Sequence, residues 1–236
     1  MIASVINAVL ILAGSLLGLL LKNRLSENLS QTLIYGLSIC VMVIGITCAI
    51  ETENILSVII CLIVGTVIGE LLQIERGVNI LGEKLKAKVA KNSANSRFTE
   101  GFVTATLLFC VGSMAIVGSM EAGMNHNYSI LLSKSIIDAV IAVSFAATMG
   151  FGVCFSGIAV FIYQGALTLL AIFFGPMLPE AVITEMTAVG GILLIGVALN
   201  MLGVLGEIHI RVANMLPSIF IAIGYVPLAN WLSNLI

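Results

Sequence analysis

The sequence predicts an all-α, polytopic integral membrane protein, a helical bundle of about eight transmembrane helices with one cytoplasmic amphipathic helix. Three observations carry this. Of the 236 residues, 60% are hydrophobic and only 9% charged, against roughly 25% charged in an ordinary soluble domain. The mean hydropathy is +1.18. Apolar stretches long enough to cross a bilayer recur along the whole chain, and nine of the ten Lys and Arg residues fall on one side of the topology they define. So sparse a charge content cannot build a water-soluble surface, which excludes a soluble enzyme and a secreted disulfide scaffold. The net charge of −2 gives no reason to expect a nucleic-acid partner. Cys40, Cys48, Cys61, Cys110 and Cys154 lie in apolar runs without CxxC or Cys/His spacing, and read as buried thiols.

A spanning helix needs about 20 mostly apolar residues. The stretches that qualify are roughly 2–21, 32–50, 54–73, 98–120, 129–149, 152–174, 184–205 and 212–235, forming a single transmembrane domain over 1–236. The first has neither a basic n-region nor an A-x-A site, so it reads as a retained span. The apolar run from Ser135 to Gly175 is too long for one helix, and Met149-Gly150-Phe151-Gly152 is the natural turn between two. In the eighth span Pro217, one turn after Asn214, predicts a kink.

With eight alternating spans, Lys22, Arg24, Arg76, Lys84, Lys86, Lys88, Lys91, Arg97 and Arg211 share one side. The opposite loops carry Glu51, Glu53, Glu121, Glu180 and Glu185 but no base. The positive-inside rule makes the first side cytoplasmic, with both termini outside. In the loop 74–97, Val78, Leu81, Leu85 and Val89 recur at helical spacing, while Lys84, Lys86, Lys88 and Lys91 occupy the remaining face. This is a basic amphipathic helix suited to membrane lipids, each Lys near anionic headgroups contributing on the order of 1 kcal/mol. A solvated connector is the alternative reading.

Two internal repeats compete. Val43-Ile44-Gly45-Ile46 matches Leu194-Ile195-Gly196-Val197, which aligns spans 1–3 with spans 6–8. That odd offset makes the repeat inverted, an architecture of secondary transporters. Ile39-Cys40-Val41 against Phe109-Cys110-Val111 gives a parallel repeat instead.

A charge at the bilayer centre costs about 2.5–3.5 kcal/mol on insertion scales, so it needs a partner or a cavity. Lys134 is the only basic residue within a span, and Asp138 is the only Asp in the chain. Four residues apart, they share one face of span 5, with Lys134 in the outer third and Asp138 near mid-depth. They form either a site for an ion, a proton or a charged substrate, or a static ion pair that locks the helix. In span 4, Gly112-Ser113 and Gly118-Ser119 weaken the helix, because Gly adds backbone freedom and Ser competes for carbonyls. A break there offers Gly112 and Ser113 as neutral ligands at the depth of Asp138; tight packing by small residues is the alternative. Gln164 in span 6 lies near mid-depth. Asn7, Asn200 and Asn214 are amides that need hydrogen-bond partners. Gly14-x-x-x-Gly18 and Gly65-x-x-x-Gly69 are packing faces, within the bundle or in a homodimer. His126 and His209 have no metal-ligand spacing, and no GxSxG, HExxH or phosphate-binding loop occurs. The sequence therefore implies neither an enzyme nor a cofactor or metal.

Cys110-Val111-Gly112-Ser113-Met114-Ala115-Ile116-x-Gly118, Leu132-Ser133-Lys134-Ser135-x-x-Asp138, Tyr163-Gln164-Gly165 and Arg211-Val212-x-Asn214-x-Leu216-Pro217 resemble the uncharacterised bacterial family of multi-span membrane proteins typified by YqgA and YdfK. The resemblance covers essentially the whole chain. Ser119 departs from the pattern, since relatives often carry Ala there. The resemblance implies a bacterial plasma-membrane protein, leans toward cation transport, and assigns no binding residues. Together with the charges, it leads to a small secondary transporter or channel for a small ion, such as sodium or a proton, or for a small solute. The transport site would comprise Asp138, Lys134, Ser113, Gly112, Gln164, Asn200 and Asn214. The alternative is a structural or regulatory membrane protein with a static Lys134–Asp138 lock.

Overall fold

The computed structural model describes residues 1–22, 26–77, 80, 98–110, 113–174, 179–206 and 208–233. The loop containing Lys84, Lys86, Lys88 and Lys91, and Gly112 in span 4, lie outside the described residues. The helical elements used below are α1 (Ile2–Lys22), α2 (Glu27–Ala49), α3 (Ile55–Leu72), α4 (Phe98–Cys110), α5 (Ser113–Met124), α6 (Ser129–Met149), α7 (Gly152–Phe174), α8 (Glu180–Leu202), the four-residue α9 (Val212–Met215) and α10 (Pro217–Ser233). The protein is an all-helical, polytopic membrane protein. Seven of its helical segments are long and apolar enough to span a bilayer on their own, and α4 with α5, at 58° to one another, brings the count to eight if the pair is one span.

The ends of the helices follow local chemistry. Gly150, with φ of 87°, stops α6, a backbone conformation glycine reaches without cost. Chain direction then reverses into α7 at Gly152, within the tetrapeptide that the sequence marked as a turn. Pro217 separates α9 from α10 and stands at the first position of α10, where its missing N–H is not needed. Asn54 caps α3, its side chain accepting from the N–H groups of Leu56 and Ser57.

The chain divides into two compact units. In the first, α1 runs parallel to α6. A Cβ on Gly14 would strike the Ala139 carbonyl, and one on Gly18 the Val143 carbonyl, so both glycines admit backbone-to-backbone contact. α7 lies antiparallel to α1, with Gly157 against Ala8 and Ile11. The α4–α5 pair follows α7 along its length: Gly152 meets Phe98, and much further on Gly123 meets Thr168 and Ala171. In the second unit Gly45 of α2 and Gly191 of α8 face each other. Gly65 and Gly69 of α3 meet Ser218 and Asn214, in reverse order along the chain. Both GxxxG faces are thus consumed inside a unit.

These directions are the ones that eight crossings require. Helices in contact that lie four crossings apart in the chain must be parallel, and those five apart antiparallel. α1 and α6 are parallel, while α2 with α8 and α3 with the α9–α10 segment are antiparallel, as a full crossing by α4–α5 requires. A pair that turned back on its own side would reverse all three relations.

The outward faces carry large apolar side chains, such as Ile2, Val9, Leu17 and Leu20 on α1 and Ile59, Ile63 and Val67 on α3. Water would not tolerate such a surface, whereas hydrocarbon does.

Candidate functional site

Asp138 sits on the face of α6 that meets α1 and is 3% exposed; Lys134, one turn earlier, is 6% exposed. The α-helical pitch stacks these side chains, and Lys134 Nζ donates to Asp138 Oδ2 at 2.5 Å. The ammonium also stands 5.9 Å from the centre of the Phe109 ring on α4, within range of a cation–π attraction. The same carboxylate oxygen accepts a second hydrogen bond, from Asn7 Nδ2 of α1 at 3.0 Å. Asn7 Nδ2 donates in turn to Gln164 Oε1 of α7 at 3.2 Å. Asn7 and Gln164 are both fully buried.

Four polar side chains from three helices thus form one continuous network in an apolar interior. The small residues of α1 make it possible: with Gly14 and Gly18 drawing α1 onto α6, a short asparagine reaches the carboxylate. Two polar atoms of the network are buried without a hydrogen-bond partner, Asn7 Oδ1 and Gln164 Nε2. Lys134, Asp138 and Gln164 are therefore brought together, and Asn7 joins them as their bridge. The sequence reveals Asn7 as an amide in need of a partner, but its partners lie 131 and 157 positions away.

Of the remaining candidates, Asn200 and Asn214 fall elsewhere. Ser113 begins α5. Asn200 and Asn214 belong to the second unit and are engaged there. Asn200 donates to the Ile210 carbonyl and accepts from the Ile210 N–H, holding the loop after α8. Asn214 Oδ1 accepts from Glu75 N–H at 2.7 Å, while the Glu75 carboxylate accepts from Ala213 N–H. This reciprocal clasp joins the chain beyond α3 to α9. Burial lifts the Glu75 carboxyl above its ordinary range, opposed by the Ala213 N–H and by His209 and Arg211. Arg211 pairs with Glu70 at 3.0 Å.

Glu185 is a site the charge count passes over. Placed among the outer loop acids, it instead lies within α8, 2% exposed. Its carboxylate accepts from Thr52 Oγ1 at 2.8 Å and from the N–H groups of Glu53 and Asn54 at 3.0 Å each. With these three bonds Glu185 fixes the turn between α2 and α3. A separate cavity of about 290 Å³, lined by Val9 and Leu12 of α1, by Phe151 in the turn before α7 and by Phe155 and Ile158 of α7, is apolar and offers nothing to an ion. Among the described residues no group of three or more His, Cys, Asp or Glu side chains is placed to hold a metal.

The family DUF554, described as a protein of unknown function, matches residues 2–226. The chain is 28% identical over 225 residues to the uncharacterized membrane protein YdfK of Bacillus subtilis (strain 168), covering 94% of this chain and 93% of the relative. It is 33% identical over 222 residues to the uncharacterized protein YqgA of Escherichia coli (strain K12), covering 92% of each. No solved structure matches the chain.

Proposed function

Because the chain belongs to the DUF554 family, whose description assigns no activity, we propose its function from its own interior: a small secondary transporter or channel for a small ion or solute in a bacterial plasma membrane, with both termini outside. Asp138 is the exchanging carboxylate, Lys134 its internal counter-ion, and Asn7 and Gln164 supply neutral hydrogen-bonding groups. One observation carries this reading. The network leaves Asn7 Oδ1 and Gln164 Nε2 buried and unpaired. An unmade buried hydrogen bond costs about 1–3 kcal/mol, and a purely structural lock would have no use for two. A transport site does, because its ligand supplies the missing partners.

Exchange follows from competition. An approaching proton or cation weakens the hold of Lys134 on Asp138, since the ammonium and the ion seek the same negative charge. The test is flux in proteoliposomes, of protons and of a panel of radiolabelled monovalent cations, for wild type, Asp138→Asn and Lys134→Ala. Loss of flux in Asp138→Asn and altered flux in Lys134→Ala are expected; equal flux in all three overturns the assignment.

The second reading, a structural or regulatory protein with a static lock, draws on the bond from Asn7 to Asp138, which ties α1 to α6. Exchanging the charges, Lys134→Asp with Asp138→Lys, separates the two. A lock keeps its pairing after the swap, whereas an exchanging site loses flux because the carboxylate has moved a full turn.

A further inference from the structure

We infer that the ion this site handles is the proton, delivered through water bound at Asn7 and Gln164, and that these two amides form a chain whose orientation follows the charge on Asp138. The inference rests on the transport reading and specifies its ligand.

The starting point is the direction of each bond. Ionised, Asp138 only accepts, so Asn7 must present its nitrogen to it. That same nitrogen also faces Gln164, so Gln164 must present its oxygen. The hydrogen bonds thus run one way, from Asn7 to both neighbours. The atoms left over are one acceptor, Asn7 Oδ1, and one donor, Gln164 Nε2, both buried.

This remainder discriminates among ligands. A metal cation seeks a shell of oxygens. Here it would meet an N–H of Gln164 and the ammonium of Lys134, both of which repel it. Water matches the remainder group for group: it donates to Asn7 Oδ1 and accepts from Gln164 Nε2, and buried water is held by two to four such partners. A proton carried on that water needs no coordination shell. It passes from hydronium to the Asp138 carboxylate, forming one O–H bond and leaving neutral water behind, while Lys134 keeps its three protons.

Protonation then reverses the chain. The new Asp138 hydroxyl is a donor and is satisfied by Asn7 Oδ1 once that amide turns over. Gln164 follows, presenting Nε2 to Asn7 and turning Oε1 outward. The two groups facing the water exchange roles, Asn7 from acceptor to donor and Gln164 from donor to acceptor, so the charge on α6 is reported through α1 to α7. The titratable groups that face Asp138 are Lys134 on its own helix and the Cys110 thiol of α4, which feels both charges; Tyr163 of α7 in turn faces Cys110.

Infrared difference spectroscopy of the full chain in lipid, titrated with acid, tests this. The carboxylic-acid C=O stretch that is missing in Asp138→Asn isolates this residue from the other carboxyls, and thiols and phenols do not absorb there. That band is expected to grow on acidification, with a coupled shift of ¹⁵N-sensitive amide bands from Asn7 and Gln164. Asn7→Leu is expected to keep the carboxyl band and abolish the Gln164 shift, and Gln164→Leu to keep the Asn7 shift alone. Adding sodium or potassium at constant pH is expected to leave the band unchanged. If either ion removes it, a metal cation competes for the carboxylate and the proton assignment fails. The same assignment fails if Asp138 never titrates while flux still depends on it. Flux that is equal in wild type and Asp138→Asn instead overturns the transport reading itself.

Discussion

Removing Lys134 leaves Asp138 with the Asn7 amide as its remaining partner in the network, a neutral donor against a full charge. Deleting one member of a buried pair costs about 3–5 kcal/mol, whereas replacing both by apolar groups of similar volume is often neutral. Lys134→Met is therefore expected to lose about 3–5 kcal/mol of stability, and Lys134→Met with Asp138→Leu to recover most of it. Thermal denaturation in detergent, read by exposure of the buried cysteines, measures both; a double variant no better than the single would mean that the pair is not the unit of stability. Had the protein been selected only to persist, the apolar pair would serve. Retention of an ionic one, with unpaired amide atoms beside it, fits a group that changes its charge. The pair itself was legible in the sequence because Lys134 and Asp138 share one helix, and helical periodicity alone makes them neighbours. Asn7 and Glu185 were not legible in the same way. The first bonds across 131 positions and the second across a similar separation to the 52–54 turn, and no local spacing rule reaches so far.

At the scale of the helix, the glycines divide by what they touch. A Cβ on Gly14 or Gly69 would fall on backbone, the Ala139 carbonyl in one case and Asn214 in the other. Backbone cannot rotate aside as a side chain can, so the helices must separate. Gly36 of α2 and Gly224 of α10 have nothing within 4 Å of that position. Overpacking costs about 1–3 kcal/mol, while alanine gains up to about 1 kcal/mol over glycine within a helix. Gly14→Ala and Gly69→Ala are thus expected to lower the melting temperature, and Gly36→Ala and Gly224→Ala to leave it unchanged or raise it. If all four behaved alike, close helix approach would not be what these glycines provide. Gly14→Ala carries a second consequence, because drawing α1 away from α6 also lengthens the bond from Asn7 to Asp138. The sequence marked both GxxxG faces but could not say which helix each would meet, since an apolar stripe fits any neighbour. Only the fold shows that α1 chooses α6 and α3 chooses α10.

For the molecule as a whole, the eight-crossing topology makes two demands of different kinds. The distribution of Lys and Arg uses only charge, and the directions of packed helices use only contacts. A seven-crossing chain, in which α4 and α5 turn back to the side they came from, would place the loop after α5 on the same side as the loop before α4. It would also make α1 and α6 antiparallel, against the order in which Gly14 and Gly18 meet Ala139 and Val143. The two topologies differ at named positions. In a background without native cysteines, Glu53→Cys and Asn127→Cys are expected to react with a membrane-impermeant maleimide in intact cells. Ser26→Cys and Val204→Cys are expected to react only after permeabilisation. In the seven-crossing chain Asn127→Cys would change sides while Glu53→Cys stayed, and Val204→Cys would become reactive from outside. Reversal of all four sites together would leave the fold intact and overturn only the orientation taken from the basic residues. The same labelling decides which face of the membrane the polar network is nearer to: Asn7 lies in the first turns of α1, so the side on which the N-terminus stands is the side from which a proton would have the shorter path to Asp138.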